Sequence, residues 1–445
     1  LKAVHIVSLG CAKNQVDAEV MAASLEGGGY HIVSDPRLAT IIMVNTCAFI
    51  LPAKEESIEE ILRVAACKKT DRCRYLVVTG CLAQRYGKSL LPELPEVDLF
   101  LDTNEVPHIA GHLDRLRGQK SPVPVAIVNN PSFLMNAGHS RLLATPPYTA
   151  YLKIAEGCSN FCSYCIIPAL RGKARSRPPE DILTEAENLA AKGVREIILT
   201  AQDTTAYGRE LKGRHGLSEL LKNLADIKEL RWIRLLYTYP GKLDAATLTV
   251  MAEAEKVCSY IDIPIQHIDD DILKAMRRRG DSAKISQSVA LIRKIIPDVA
   301  LRTSLIVGFP GETPARFKRL VNFIAATKFD HLGVFTYSQE EETTAAMLPG
   351  HVTEKTKGRR RQRLMEEQAT ISSAINQGLV GSAQEVLIEG SSDIPAYPYI
   401  GRSRRQAPDV DGVTYIKGEG LKAGDFVSAT ISAADTYDLY AEVNK

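Results

Sequence analysis

The chain has 445 residues, is 45% apolar, and carries a formal net charge of only +2, which argues neither for nor against nucleic acid and leaves any such role to local charge. Nine cysteines in this length are too sparse for a secreted disulfide scaffold, and no apolar run approaches the roughly 18 residues of a membrane span. The chain opens on strand-like Val4–Leu9 without a signal-peptide pattern, so the expectation is a reduced, cytoplasmic protein of two or three domains, each with its own core.

Three apolar, β-branched runs, Val4–Leu9, Ile41–Val44 and Tyr75–Val78, alternate with helical patterns and predict a parallel α/β sheet in residues 1–120. Each run leads straight into a cysteine: Cys11 after Leu9-Gly10, Cys47 after Asn45-Thr46, and Cys81 after Thr79-Gly80. Open α/β sheets bind ligands at the carboxyl ends of their strands, so three cysteines more than 30 residues apart in sequence can converge there. Gly10 and Gly80 suit a backbone that must turn closely past a bound group. Three thiols so placed predict an iron–sulfur cluster with one iron left open. Cys67, Cys73 and Cys258 lack such positions and are expected to be packed as small apolar side chains. Residues 121–147 lose the periodicity. Pro122, Pro124, Pro131, Pro146 and Pro147 punctuate a linker with one short strand, Val125–Val128, inside it.

Residues 148–377 hold six strand candidates: Tyr151–Ala155, Glu196–Thr200, Trp232–Leu236, Tyr260–Ile263, Leu301–Val307 and Leu332–Tyr337. Helical patterns between them predict repeated βα units and a closed or partly closed parallel sheet, two units short of a complete barrel. After the first strand comes Glu156-Gly157-Cys158-Ser159-Asn160-Phe161-Cys162-Ser163-Tyr164-Cys165. Structural zinc sites usually draw four ligands from two separated pairs, which this loop does not. Three closely spaced thiolates suit a four-iron cluster with an open iron.

The C-x3-C-x2-C spacing of Cys158, Cys162 and Cys165, with Tyr164 before the last, resembles the radical S-adenosylmethionine (SAM) superfamily. That resemblance implies an incomplete (β/α)6 barrel, with SAM chelated at the open iron and cleaved by one electron to a 5′-deoxyadenosyl radical. It also implies SAM contacts at the strand ends: Gln202 and Asp203, Gln266, and Gly308, Gly311 and Glu312, with Tyr164 in the cluster loop. His267 is given a pocket position only. Arg171, Arg175 and Arg177 follow the loop; they read either as an anchor for SAM or an anionic target, or as a solvated basic loop. The polar stretch from Thr353 to Gln377 carries Lys355, Lys357, Arg359, Arg360, Arg361 and Arg363. As the one dense basic cluster it reads either as an RNA-binding face or as the solvated face of a connecting helix, the second favoured because no aromatics are interleaved for base stacking.

Residues 378–445 switch to five short strands, Gln384–Ile388, Tyr397–Gly401, Val413–Lys417, Asp425–Ser432 and Tyr437–Val443, which predict a small antiparallel β-barrel. This segment holds ten acids against six bases, a net charge of −4. Such a module is a poor phosphate binder and a better partner for a basic protein.

Taken whole, the chain resembles the methylthiotransferases, which join a three-cysteine domain, a radical SAM barrel and a TRAM barrel. Four strings resemble the ribosomal-protein branch: Ser8-Leu9-Gly10-Cys11-Ala12-Lys13-Asn14-Gln15-Val16-Asp17, Ile261-Asp262-Ile263-Pro264-Ile265-Gln266-His267-Ile268, Leu332-Gly333-Val334-Phe335-Thr336-Tyr337-Ser338 and Ala407-Pro408-Asp409-Val410-Asp411-Gly412. That branch implies two 4Fe-4S clusters, one on Cys11, Cys47 and Cys81 and one on Cys158, Cys162 and Cys165. It implies methylthiolation of the β-carbon of an aspartate in the twelfth small-subunit ribosomal protein, with one SAM giving a methyl group and a second giving the radical. The partners implied are that basic protein, docked by the acidic barrel, and an electron donor such as flavodoxin or ferredoxin; a monomer is expected. Two other readings stay open at this point. One is a tRNA adenosine methylthiotransferase, opposed by the acidic barrel; the other is a non-catalytic iron–sulfur carrier or sensor.

Overall fold

The computed structural model describes residues 2–119, 123–213 and 216–444; Pro122 of the expected linker and Lys445 of the terminal charge count lie outside the described residues. The N-terminal unit is a six-stranded sheet built from β1 (Ala3–Ser8), β2 (His31–Ile32), β3 (Ile41–Thr46), β4 (Tyr75–Gly80), β5 (Leu99–Leu101) and β6 (Val125–Ile127). All its pairings are parallel, in the order β2-β1-β3-β4-β5-β6. β3 is buried at every residue, which is why it reads as a continuous apolar run rather than an alternating one. β2 and β5 are two and three residues long, too short to leave a periodic signal, and were not expected. The short strand expected inside the linker does form, and it pairs with β5 as the sheet's last strand.

The central unit begins with β7 (Thr149–Lys153), followed by a two-stranded antiparallel ribbon, β8 (Ala155–Glu156) with β9 (Arg175–Ser176). β10 (Glu196–Thr200), β11 (Trp232–Leu235), β12 (Val257–Asp262), β13 (Ala300–Val307) and β14 (His331–Thr336) complete a parallel sheet in the order β14-β13-β12-β11-β10-β7. β7 and β14 are its free edges, so the barrel is open, as six βα units dictate. Ala150, Leu152, Ile197, Leu199, Ile233, Leu235, Leu301 and Leu305 face outward into the helix-covered core. Tyr151, Ile198, Trp232 and Tyr260 face inward and join a second cluster with Val16 and Val20 of the helix Ala12–Gly27. β13 alternates between buried and half-buried residues, as a strand does when one face lines an open lumen.

β15 (Ala383–Ile394), β16 (Tyr397–Ser403), β17 (Thr414–Lys417), β18 (Phe426–Ala434) and β19 (Leu439–Val443) close into a barrel in the order β15-β16-β17-β19-β18. One pairing departs from the expected antiparallel pattern. β17 and β19 run parallel, because β18 intervenes in sequence but closes the far side against β15. The barrel packs on the amino-terminal ends of the central strands. Glu196, first in β10, accepts from Arg402 and Arg234 at 2.6 and 3.0 Å, and Asp411 accepts from Tyr260 Oη at 2.6 Å. The carboxyl ends of the strands are left free for chemistry.

Candidate functional site

The N-terminal sheet reverses its winding direction between β1 and β3, and ligand crevices in doubly wound sheets open at that switch point. Cys11, Cys47 and Cys81 follow β1, β3 and β4, at the carboxyl ends of adjacent strands. A Cβ added to Gly10 (φ +92°) would stand 2.9 Å from Cys47 Cβ and 3.2 Å from its sulfur, so the first two cysteines meet across that glycine. Asn14 ties the loops together: its Nδ2 donates to Leu9 O (3.0 Å) and Thr46 O (2.8 Å), while Asn45 Nδ2 donates to Asn14 O (2.7 Å). Ser57 Oγ accepts from Cys47 N at 3.0 Å and fixes the second cysteine's backbone.

These three thiols differ in electrostatics. Desolvation pushes Cys47 up to about 12, with Cys81 and Cys11 as further unfavourable neighbours. Burial also raises Cys81, against the pull of Arg171. Cys11 opens to solvent at the crevice mouth, yet packed groups desolvate it; Lys13, the backbone N–H of Asn14 and Arg171 outweigh that cost and hold the thiol below its ordinary value.

The second triad sits in the loop bracketed by β8 and β9. Gly157 (φ +78°) lies against the backbone of Lys173 where a Cβ would clash, and Cys158 N donates to Gly172 O at 3.0 Å, so the loop's ends are pinned together. Ser163 N donates to Met276 O (2.9 Å) and Ser163 Oγ to Ala275 O (2.7 Å), which anchors the loop to the helix after β12. Burial raises Cys158, and pushes Cys165 up to about 12 with Cys162 and Cys158 adding repulsion. Arg278 reaches Cys162 Sγ at 4.0 Å and lies 4.0 Å over the Tyr239 ring. Tyr164 packs beside Phe309 and Tyr337; burial raises its hydroxyl, opposed by Arg278.

A buried chain of charges joins the triads. Lys153 at the end of β7 donates to Asp17 Oδ1 (2.5 Å) and Glu156 Oε2 (2.7 Å), and Arg171 donates to Asp17 Oδ2 (2.6 Å). Arg171 also reaches Asn14 Oδ1 at 2.5 Å and Cys81 Sγ at 3.6 Å. Gln202 Nε2 closes the chain on Glu156 Oε1 at 2.6 Å. Lys13 Nζ, two residues past Cys11, lies 3.4 Å over the Tyr237 ring at the end of β11. Phe161, Tyr237, Gln266 and Arg277 all have positive φ. Such strain collects at functional sites because the surrounding structure must over-determine it.

Several expected contacts have other occupations. Asp203 is committed to Lys242 (2.6 Å), Asn160 (2.7 Å) and Thr205 (2.5 Å), and so braces the cysteine loop. Glu312 accepts from Gly308 N within its own turn and receives Arg360 at 3.4 Å. Gly308 is required because Lys357 packs where its Cβ would stand, and Gly311 N donates to Gly350 O at 2.9 Å. The basic stretch is therefore not wholly solvated: Lys357 and Arg360 are buried clamps on that turn. Of the two readings of Arg171, Arg175 and Arg177, the solvated loop is corrected, because Arg171 and Arg177 are buried and Arg175 is half-buried. Arg171 serves the charge chain, Arg175 donates to Phe133 O and Arg171 O, and Arg177 is bound to Glu185 and Lys153 O. His267 is fully buried, with Nδ1 accepting from Asp269 N; burial holds it neutral, at about 3.

Gln266 and Gln202 keep their strand-end positions. Gln202 Oε1, Thr200 Oγ1 and Asp262 Oδ1 are buried without a hydrogen-bond partner among the described residues. Buried acceptors of this kind fit a polar ligand at the mouth. All six site cysteines are free thiols, a soft donor set suited to iron–sulfur ligation. Among the described residues no three His, Cys, Asp or Glu side chains close on one point as ligands of a single ion do. Lys13, Asn14, Asp17, Lys153, Lys242, Asp262 and Arg278 were missed as site residues. Asn14 and Asp17 lie within the string after Cys11, but nothing in their spacing says that they face a second domain.

Three family models match the chain in order: an uncharacterized protein family, UPF0004, over residues 3–102, the radical SAM superfamily over 152–324, and the TRAM domain over 380–443. The chain is 64% identical over 443 residues to the ribosomal protein uS12 methylthiotransferase RimO of Syntrophus aciditrophicus, covering 99% of this chain and 98% of that protein. It is 49% identical over 440 residues to the protein of that name in Geobacter sulfurreducens, and 46% over 442 residues to that in Clostridioides difficile, each at 99% and 98% coverage. Among solved structures, the radical SAM methyltransferase TsrM of Kitasatospora setae superposes with a TM-score of 0.54 at 15% identity, covering 75% of this chain and 72% of that one, a likeness of fold alone. With full-length identity at this level and all three modules in register, the chain belongs to the RimO family of radical SAM methylthiotransferases.

Proposed function

We propose that this enzyme methylthiolates the β-carbon of an aspartate in ribosomal protein uS12, consuming SAM both as methyl donor and as radical source. The observation that carries the reading is the buried chain Cys81–Arg171–Asp17–Lys153–Glu156, which ends two residues before Cys158 and so holds two cysteine triads in one fixed relation. A sulfur-inserting radical enzyme needs such an arrangement, because the carbon radical and the sulfur must meet within bonding reach.

In this reading Cys11, Cys47 and Cys81 hold one 4Fe-4S cluster, and Cys158, Cys162 and Cys165 hold the other. When bound, these clusters and SAM supply the sulfur, the methyl group and the one-electron cleavage. The chain's own residues position and exclude. Lys242, Asp203 and Asn160 brace the second cysteine loop, and Gln202 both orients Glu156 and turns its free Oε1 to the mouth. Gln266, with its strained φ of 70°, offers a side-chain amide from the end of β12, and Tyr164 backs the loop from inside. The SAM-contact reading is proposed for Gln202, Gln266 and Tyr164 and, alongside the bracing contacts described above, for Asp203, Gly308, Gly311 and Glu312, whose Oε1 is also buried without a hydrogen-bond partner among the described residues.

The terminal barrel supports a protein substrate over RNA. Three of its acids (Glu385, Glu389, Asp411) and all three of its arginines (Arg402, Arg404, Arg405) are spent on one another or on the central unit. The remaining seven acids make no ion pair with the central unit among the described residues; six are exposed, Asp438 is half-buried and accepts from Val413 N, and the exposed bases beside them are Lys417, paired with Glu442, and Lys422. The test is anaerobic turnover of the reconstituted enzyme with recombinant uS12 and, in parallel, tRNA bearing isopentenyl adenosine, read by mass spectrometry. A methylthio gain on an aspartyl peptide alone supports the reading; gain on tRNA alone refutes it.

A further inference from the structure

Each cysteine triad has one guanidinium at one of its sulfurs. Arg278 meets Cys162 from the same unit, but Arg171 meets Cys81 from a different one. Arg171 ends the short helix Ile167–Arg171, just after the Cys158–Cys165 loop, and yet its donors cross to the N-terminal unit, to Asp17, Asn14 and Cys81. It is 3% exposed, Asp17 is 2% exposed and Lys153 is 1% exposed, so the charges act without solvent screening.

We propose that Arg171 is a positioning residue for the first triad: it holds Cys81 Sγ through an N–H···S contact and raises the reduction potential of the cluster bound there, with Asp17 as its counterweight. This inference rests on the reading of Cys11, Cys47 and Cys81 as cluster ligands. Reduction adds one negative charge to a cluster, and a buried cation beside a ligating sulfur favours that state, as do hydrogen bonds to the sulfur. Asp17 binds Nη1 of the same guanidinium, beside the Nη2 that meets Cys81, and its negative charge opposes the effect. Because the donor belongs to the central unit, the first centre keeps this potential only while the two units are docked.

The test uses the full chain carrying C158A, C162A and C165A, reconstituted anaerobically with iron and sulfide, so that only the first triad can hold a cluster. Iron and sulfide are counted, and the midpoint potential is then titrated by electron paramagnetic resonance. Arg171→Gln is expected to shift the midpoint to more negative values, and Asp17→Asn to more positive values. Arg171→Lys, which keeps the charge but loses the forked donor, is expected to fall between the parent and Arg171→Gln. Opposite signs for Arg171→Gln and Asp17→Asn separate an electrostatic role from general loosening, which would move both alike. If Arg171→Gln does not fold, the sign for Asp17→Asn decides. Unchanged potentials, or shifts of one sign, overturn the proposal. A parent chain that takes up no iron overturns the ligand reading and the proposal together, and the iron count tells that failure from the other.

Discussion

At the scale of single residues, backbone freedom at two glycines governs both triads. Gly80 (φ +88°) sits where a Cβ would lie 2.5 Å from Asn45 Oδ1 and 2.6 Å from Thr46 O, and Gly157 is hemmed in by Lys173 and Gly172 backbone. Gly157→Ala is expected to cost roughly 2 kcal/mol, since it adds both left-handed strain and a clash with backbone that cannot swing away. Urea denaturation should show the loss, and iron content should fall toward that of a chain with one cluster. Cys11→Ala makes a different prediction. It should keep 5′-deoxyadenosine production, because the second triad is untouched, while losing C–S bond formation. Methylthiolated product from that variant would refute the assignment of the first triad.

At the scale of elements, two buried glutamates make opposite pH predictions. Glu196 opens β10 and meets Arg402 of the terminal barrel; burial alone would raise it, but Arg402 and Arg234 hold it at about 2. Its folded value is depressed, so its stabilisation is present above about 4.5 and lost as pH falls toward 2. Glu196→Gln is expected to cost about 3 kcal/mol at neutral pH, because Arg402 and Arg234 are left buried without their anion. Glu312 is the reverse case. Burial raises it to about 7, against the weaker pull of Arg360 and of the Gly308 and Phe309 N–H groups. The folded state then holds the proton more tightly, so stability falls on the order of 3 kcal/mol as pH rises from about 4.5 to 7. Glu312→Gln should flatten that slope in denaturation curves taken across the window; a slope that persists would mean another group carries it.

At the scale of the whole molecule, the terminal barrel is mounted on the amino-terminal ends of the central strands, while both triads lie at carboxyl ends. On the proposed docking by the exposed acids, a substrate protein would have to reach around the barrel to the mouth. Replacing exposed Asp393, Glu419 and Glu442 by their amides is expected to weaken binding of the basic substrate several-fold at low salt, with little change at high salt. Unproductive SAM cleavage in the absence of substrate should be unaffected. Equal affinity of the variant and the parent at low salt would remove the acidic face from the docking account.

The modules and both cysteine triads were legible in the sequence because each depends on local order: an apolar run, a turn, and a thiol at the strand's end. The parallel sheet could be read from β3 and β4, buried along their length apart from half-buried Tyr75, whereas β2 and β5 escaped because two or three residues carry no period. Charge could be counted but not placed. Arg171, Arg175 and Arg177 look like a solvated or ligand-binding run, and only packing shows each of them committed inside the protein. Glu312 and Asp203 were correctly located at strand ends, but their partners, Arg360 and Lys242, lie 48 and 39 residues away. The sequence by itself determined which groups the chain owns and the strand each one follows. The tertiary structure alone decided which of them face each other, because Asp17, Lys153 and Arg171 meet across separate units, and no spacing along a chain encodes that distance.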